Sequence, residues 1–186
     1  IGPYDVTAVA RRGFSSASIE KLIIPEGYTE ISENGFYGNS ALVVVYFPST
    51  LTTIGDTAFL NARSLKVVNF SEGLKRIGES AFSGTSLSYV VLPATLEEIG
   101  SDAFDIAQPD EDTKVLKEVL FMGNDVPAMD SNAFGSVRRD YFCYPEAEEA
   151  YKAAFSAAGA AGSLYYHDEN RLAYMGEYAP ADGETF

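Results

Sequence analysis

The sequence predicts a right-handed solenoid of stacked coils, with a parallel β-sheet on one face, irregular turns on the other and a capping helix near the C-terminal end. Three observations carry that expectation. Phe14, Phe36, Phe59, Phe82, Phe104 and Phe134 recur at intervals of 22, 23, 23, 22 and 30 residues. Five residues before each stands Val9, Ile31, Ile54, Ile77, Ile99 or Met129, and directly before each stands a Gly or an Ala. Between these markers runs a short alternating stretch rich in Val and aromatic residues, the pattern of a strand. Self-similarity at a fixed period of this length marks a repeat architecture.

Three consecutive units show the frame. They read LVVVYFPSTLTTIGDTAFLNARS from Leu42, LKVVNFSEGLKRIGESAFSGTS from Leu65 and LSYVVLPATLEEIGSDAF from Leu87. The shared pattern is L-x-x-V-x-[FL]-[PS]-x-x-L-x-x-I-G-x-x-A-F. Its x-V-x-F portion alternates and is β-branched or aromatic, so it reads as a short strand. Pro25, Pro48 and Pro93 close the strands, because Pro cannot continue a central ladder. The L-x-x-I-G portion is too short for a helix and reads as a turn-rich return, with Gly55, Gly78 and Gly100 expected in a backbone conformation other residues avoid. The A-F pair sends a ring into the core beside a residue small enough for close approach. One unit buries little by itself; stacked at the ~4.8 Å spacing of a parallel sheet, the units bury one continuous core with a Phe ladder and an Ile ladder.

The array is read over residues 1–145 as five to six units, with an acidic insertion at 105–115. Residues 146–186 form a C-terminal cap. Pro145 suits a first helical position, Glu146, Glu148 and Glu149 fill the first turn, and Gly159 marks the stop, predicting a helix over 146–158. Ala147, Tyr151, Ala154, Phe155 and Ala158 share one apolar face. Leu164-Tyr165-Tyr166 and Leu172-Ala173-Tyr174-Met175 flank a polar turn and predict a hairpin over 163–175, with a loose end beyond it.

The run P-x-x-L-x-x-I-G-x-x-A-F resembles the BspA-like leucine-rich repeat family of bacterial surface proteins. The resemblance spans residues 4 to about 145, and the Pro-then-helix ending is similar too. It implies a leucine-rich-repeat solenoid. It also implies a secreted or cell-surface bacterial protein, of a kind used for adhesion or for binding host components. The family often carries Cys a few residues after the Phe, where this chain has Asn39, Ala62 and Thr85.

Composition excludes several functions. With 27 acidic against 13 basic residues the net charge is −14, which repels phosphate backbones and argues against nucleic acid. No apolar run approaches the ~18 residues of a membrane helix. One Cys and one His exclude a disulfide framework and a Cys/His zinc site. Cys143 lies in an aromatic run without a basic neighbour and reads as a buried small hydrophobe; a Cys143–His167 dyad is the sharper and less favoured alternative. Asp105, Asp110, Glu111 and Asp112 offer hard oxygen donors for calcium, but their spacing is not that of an EF-hand loop, and a solvated loop is the plainer reading. The expectation is therefore a chain with no catalytic residues, no metal and no cofactor.

The candidate site is the outer face of the sheet. In x-V-x-F the Val and Phe point inward, so their neighbours point out. One outward column reads Lys21, Val44, Val67, Tyr89, Glu118; the other reads Ile23, Tyr46, Asn69, Val91, Leu120. Tyr46 and Tyr89 are the expected anchors, with Val44, Val67, Val91 and Asn69 around them, for a protein partner, a host extracellular component or a second copy of the chain. The alternative is a spacer or stalk within a larger surface protein, for which the same Val and Tyr residues express strand propensity alone.

Overall fold

The computed structural model describes residues 8–106, 116–136, 138–160 and 162–166. The strands of the x-V-x-F segments are Lys21–Ile23 (β2), Val44–Tyr46 (β4), Val67–Asn69 (β6), Tyr89–Leu92 (β8), Glu118–Phe121 (β10) and Arg139–Cys143 (β12). Each pairs in parallel with residues about one repeat away, so the chain winds as a solenoid and not as a meander. Lys21 aligns with Val44 and Val44 with Val67; Tyr89 aligns with Glu118 and Glu118 with Asp140. The inward residues Val45, Val90 and Val119 are buried, as are the Leu42, Leu65, Leu87 and Leu116 layer beneath them.

The expected turn-rich return is more regular than the sequence suggests. Its aliphatic positions form two-residue strands: Ala8–Val9 (β1), Glu30–Ile31 (β3), Thr53–Ile54 (β5), Arg76–Ile77 (β7), Glu98–Ile99 (β9) and Ala128–Met129 (β11). These pair in parallel as a second, six-stranded sheet. Two residues per strand leave almost no alternation to read, which is why periodicity misses them. The principal sheet, in contrast, is divided. β2-β4-β6 form one panel, and β8-β10-β12, extended by Gly162–Tyr166 (β13), form another. At the division Val68 and Phe70 are only half-buried, whereas their equivalents Val45 and Phe47 are buried.

The rings stack as a ladder along the whole array. Successive centroids from Phe14 to Phe134 lie 5.3, 5.2, 5.2, 5.4 and 5.6 Å apart, with planes within 9° of parallel. Parallel rings at that centroid distance are offset-stacked, the arrangement the ring quadrupoles favour. Phe47 and Phe70 meet the ladder edge-on. The positions near the family's Cys are closed by small side chains: Asn39 Nδ2 donates to the Phe14 and Phe36 carbonyls and Thr85 Oγ1 donates to the Phe82 carbonyl.

The glycines after the Ile ladder serve close approach, and not the backbone conformation expected of them. Gly55 and Gly100 have no positive φ. A Cβ on Gly55 would stand 2.8 Å from Glu33 N and 2.9 Å from Ile31 O, and one on Gly100 would stand 2.6 Å from Glu79 N. The left-handed position comes two residues before the ladder Phe, at Arg12, Asn34, Thr57, Ser80, Asp102 and Asn132, with φ between 51° and 59°. Asn and Asp tolerate this region; β-branched Thr57 does not do so readily.

At the C-terminal end, a 3-10 turn Pro145–Ala147 leads into helix α1, Glu148–Ala158, closed by Gly159 at φ 68°. Tyr151 and Phe155 lie 4.7 and 5.7 Å from Phe121, and Phe155 lies 4.4 Å from Tyr141, so α1 covers the end of the core. β13 then returns parallel to β12, making β12-α1-β13 one crossover unit added to the array. It supplies the first half of the expected hairpin in a parallel pairing; 172–175, the other half, lies outside the described residues.

Three outcomes follow from this packing. Phe82 is 0% exposed between two stacked rings. Truncation by Phe82→Ala is expected to cost ~3–5 kcal/mol, read as a lower denaturation midpoint. Thr57→Asn is expected to stabilise by ~0.5–1 kcal/mol, because Asn adopts the left-handed region more easily; a calorimetric melting temperature no higher than wild type would contradict this. Burial pushes the Tyr141 phenol up to about 12, against the opposing pull of the Arg139 guanidinium. The folded value lies above the unfolded value of ~10, so the stability it contributes is whole below pH ~10 and is lost as pH climbs toward 12. Denaturant midpoints should fall over that window, less steeply in Tyr141→Phe.

Candidate functional site

The outer face of the principal sheet is built by strand alternation, so its composition follows from which residues stand between the inward Val and Phe positions. On the first panel, Lys21, Val44 and Val67 lie abreast, as do Ile23, Tyr46 and Asn69. Ile23 is 45% exposed, Lys21 and Asn69 are exposed, and Val44, Tyr46 and Val67 are half-buried. The Lys21 ammonium sits 5.6 Å from the centre of the Tyr46 ring, a cation–π contact at an exposed site. In register, Tyr46 stands between Ile23 and Asn69. Val43 at the strand entrance adds exposed apolar surface at 38%.

On the second panel, Tyr89, Glu118, Asp140 and Ser163 form one row, and Val91, Leu120, Phe142 and Tyr165 form the other. Tyr89 and Val91 are half-buried. The structure thus brings Val44, Tyr46, Val67 and Asn69 together, and places Tyr89 and Val91 across the division between β6 and β8. The two Tyr anchors do not share one unbroken sheet. Leu120, read from the sequence as part of an exposed face, is fully buried. Phe142 and Tyr165 extend its row, with ring centroids 5.4 Å apart, and the sequence reading missed both. The signal for Phe142 was the alternation in Tyr141-Phe142-Cys143, obscured because every residue there is apolar or aromatic.

The remaining candidates lie elsewhere. Cys143 is fully buried on the inward side; burial raises its thiol pKa, and the Glu148 and Glu146 carboxylates raise it further. His167, its suggested partner, lies outside the described residues, as do Asp110, Glu111 and Asp112 of the acidic loop. Among the described residues there is no cluster of three metal-ligating side chains, and no helix long and apolar enough to cross a membrane. The outer side of the six-stranded sheet is polar: Arg76 bridges Asp56 and Glu98, both at 3.2 Å, and Lys75 meets Glu97 at 2.8 Å. These solvated pairs are each worth only a few tenths of a kcal/mol, about the usual value for exposed ion pairs.

Two solved structures share the fold. A leucine-rich cell surface protein from Faecalibacterium prausnitzii matches with a TM-score of 0.52 at 23% identity, over 84% of this chain and 34% of that one. The pneumococcal vaccine antigen PcpA matches with a TM-score of 0.58 at 17% identity, over 88% of this chain and 45% of that one. This chain therefore spans less than half the length of either. No protein with a curated description matches it. The BspA type leucine rich repeat region matches in six copies over residues 2–109. With its stacked Phe and Ile ladders and parallel coils, the chain belongs to the BspA-type leucine-rich repeat family.

Proposed function

We propose that this chain is a non-enzymatic binding module at the bacterial surface that presents the outer face of β2, β4 and β6 to a protein partner. The observation that carries the reading is Tyr46. Its half-buried ring lies under the Lys21 ammonium, beside exposed Ile23 and half-buried Val44 and Val67, on a strongly acidic chain. A Tyr combines contact area with a hydrogen-bonding tip and, with two side-chain torsions, loses little entropy on binding. Val44, Val67 and Asn69 surround it, and Tyr89 and Val91 form a second, separate contact region beyond the division.

The family supports this reading, since leucine-rich repeats commonly bind proteins and generally do no catalysis. The similar solved structures include a cell surface protein and a vaccine antigen, which supports a secreted or surface location for this chain. Host extracellular components are the partner class that such a location exposes. No cofactor or metal enters the proposal.

The test is surface plasmon resonance against a panel of host extracellular-matrix proteins, with light scattering for self-association. Tyr46→Ser with Val44→Ser should weaken binding at least ~30-fold, the effect of losing a hot spot of about 2 kcal/mol. Tyr46→Ser with Tyr89→Ser should weaken it no further if Tyr46 alone is the anchor. Lys75→Ala on the opposite sheet should leave it unchanged. A wild-type chain that binds no panel member and stays monomeric would favour the spacer.

A further inference from the structure

Charge is not spread evenly along the array. Residues 1–88, up to the division of the principal sheet, hold eight acidic and seven basic residues; residues 89–186 hold nineteen and six. Nearly all of the net charge of −14 therefore belongs to the second half. The open apolar face of β2, β4 and β6 lies in the neutral half. In the repeat frame, the row Lys21, Val44, Val67 has its counterpart across the division in Tyr89, Glu118, Asp140 and Ser163. Glu118 and Asp140 are cross-strand neighbours, both half-buried on the outer face. Two carboxylates directly opposite each other on a sheet face repel. The basic residues of this half do not cancel the excess: Arg139 is buried, and Lys152 is paired with Glu148 and Glu149 on α1. Lys117 and Arg138 are exposed at the strand entrances and are already included in the six.

A neutral apolar face that passes into an acidic one fits a partner of matching polarity. We propose that the partner of the outer face is a basic protein segment, with an aromatic or aliphatic side chain against Tyr46 and lysines or arginines reaching across the division to Glu118 and Asp140. The inference rests on the reading of the Tyr46 face as a binding surface and adds the chemistry of what binds there. From β4 to β10 is at least three strand spacings, ~14 Å, which about five extended residues span, so one short segment reaches both regions. A guanidinium suits the far end, because its fork of donors can serve carboxylates on two neighbouring strands. An acidic or sulfated partner is repelled by the same half, and a purely apolar one gains nothing from it. A second copy, itself at −14, is repelled too. The acidic half also acts before contact, drawing a basic partner toward the array at a rate that falls with salt.

The experiment selects random short peptides, displayed on phage, on the full wild-type chain and measures the enriched ones by surface plasmon resonance. They should carry a net positive charge and at least one aromatic or large aliphatic residue. Their affinity should fall at least ~10-fold in Glu118→Gln with Asp140→Asn, at unchanged circular dichroism, as for the loss of a close charge pair. It should fall at least ~10-fold again in wild type between about 0.05 and 0.5 M salt. Tyr46→Ser should weaken the same peptides. Enriched peptides without basic excess, or an affinity unchanged by the Gln and Asn substitutions, would overturn this inference and leave the Tyr46 reading in place. Basic peptides indifferent to Tyr46→Ser would remove the anchor, and this inference with it. Enrichment of no peptide at all would overturn both. Should the double variant not fold, Asp140→Asn alone should weaken binding at least ~3-fold, and no change there would count against the proposal in the same way.

Discussion

Every coil of this molecule must fit within the height of one parallel strand, ~4.8 Å, and that constraint decides the rest. A side chain in the core has its own counterpart directly above and below. Only residue types that stack on themselves can fill such columns. Phe does so by offset stacking at 5.2–5.6 Å, slightly more than the strand spacing, which the offset absorbs. Ile31, Ile54, Ile77 and Ile99 do so as branched wedges, and all four are 0% exposed. The core is therefore a bundle of one-residue columns, and a substitution in one coil is felt first by its two neighbours.

The backbone meets the same constraint at the corners. Ala58, Ala81 and Ala103 are 0% exposed beside the ladder, where anything larger would force the coils apart. Gly55 and Gly100 face the backbone of the preceding coil closely enough that even a methyl group would collide with it. The sharp bend before each Phe is taken by one left-handed residue per coil. Asn34, Asp102 and Asn132 fill that position at little cost, while Thr57 and Ser80 show that stacking can hold a less suited residue there.

The columns were legible in the sequence because each is one residue type at one period. Phe36 to Phe134, Ile31 to Ile99 and the Leu layer could be read directly, and with them the parallel coils. The second sheet could not, because a two-residue strand carries no alternation. The role of Gly55 was misread, because close approach and unusual φ select the same residue and only coordinates separate them. On the outer face, Val44 with Tyr46 and Val67 with Asn69 followed from alternation alone. The burial of Leu120 did not, because exposure there depends on what lies over the strand, and alternation only tells which side a residue is on.

The division between β6 and β8 links these observations. Both the Phe ladder and the six-stranded sheet run past it, through Phe59, Phe82 and Phe104 and through β5, β7 and β9. The stack is thus held together on two of its sides, and the third can open without loss of the coil order. Half-exposed Val68 and Phe70 are the local cost of that opening. What it provides is two faces of different character on one array. The N-terminal one is open and centred on Tyr46, and the C-terminal one is joined through β12, α1 and β13 to the end of the core. A continuous sheet would couple the two through one twist; a divided sheet lets each be shaped by its own neighbours.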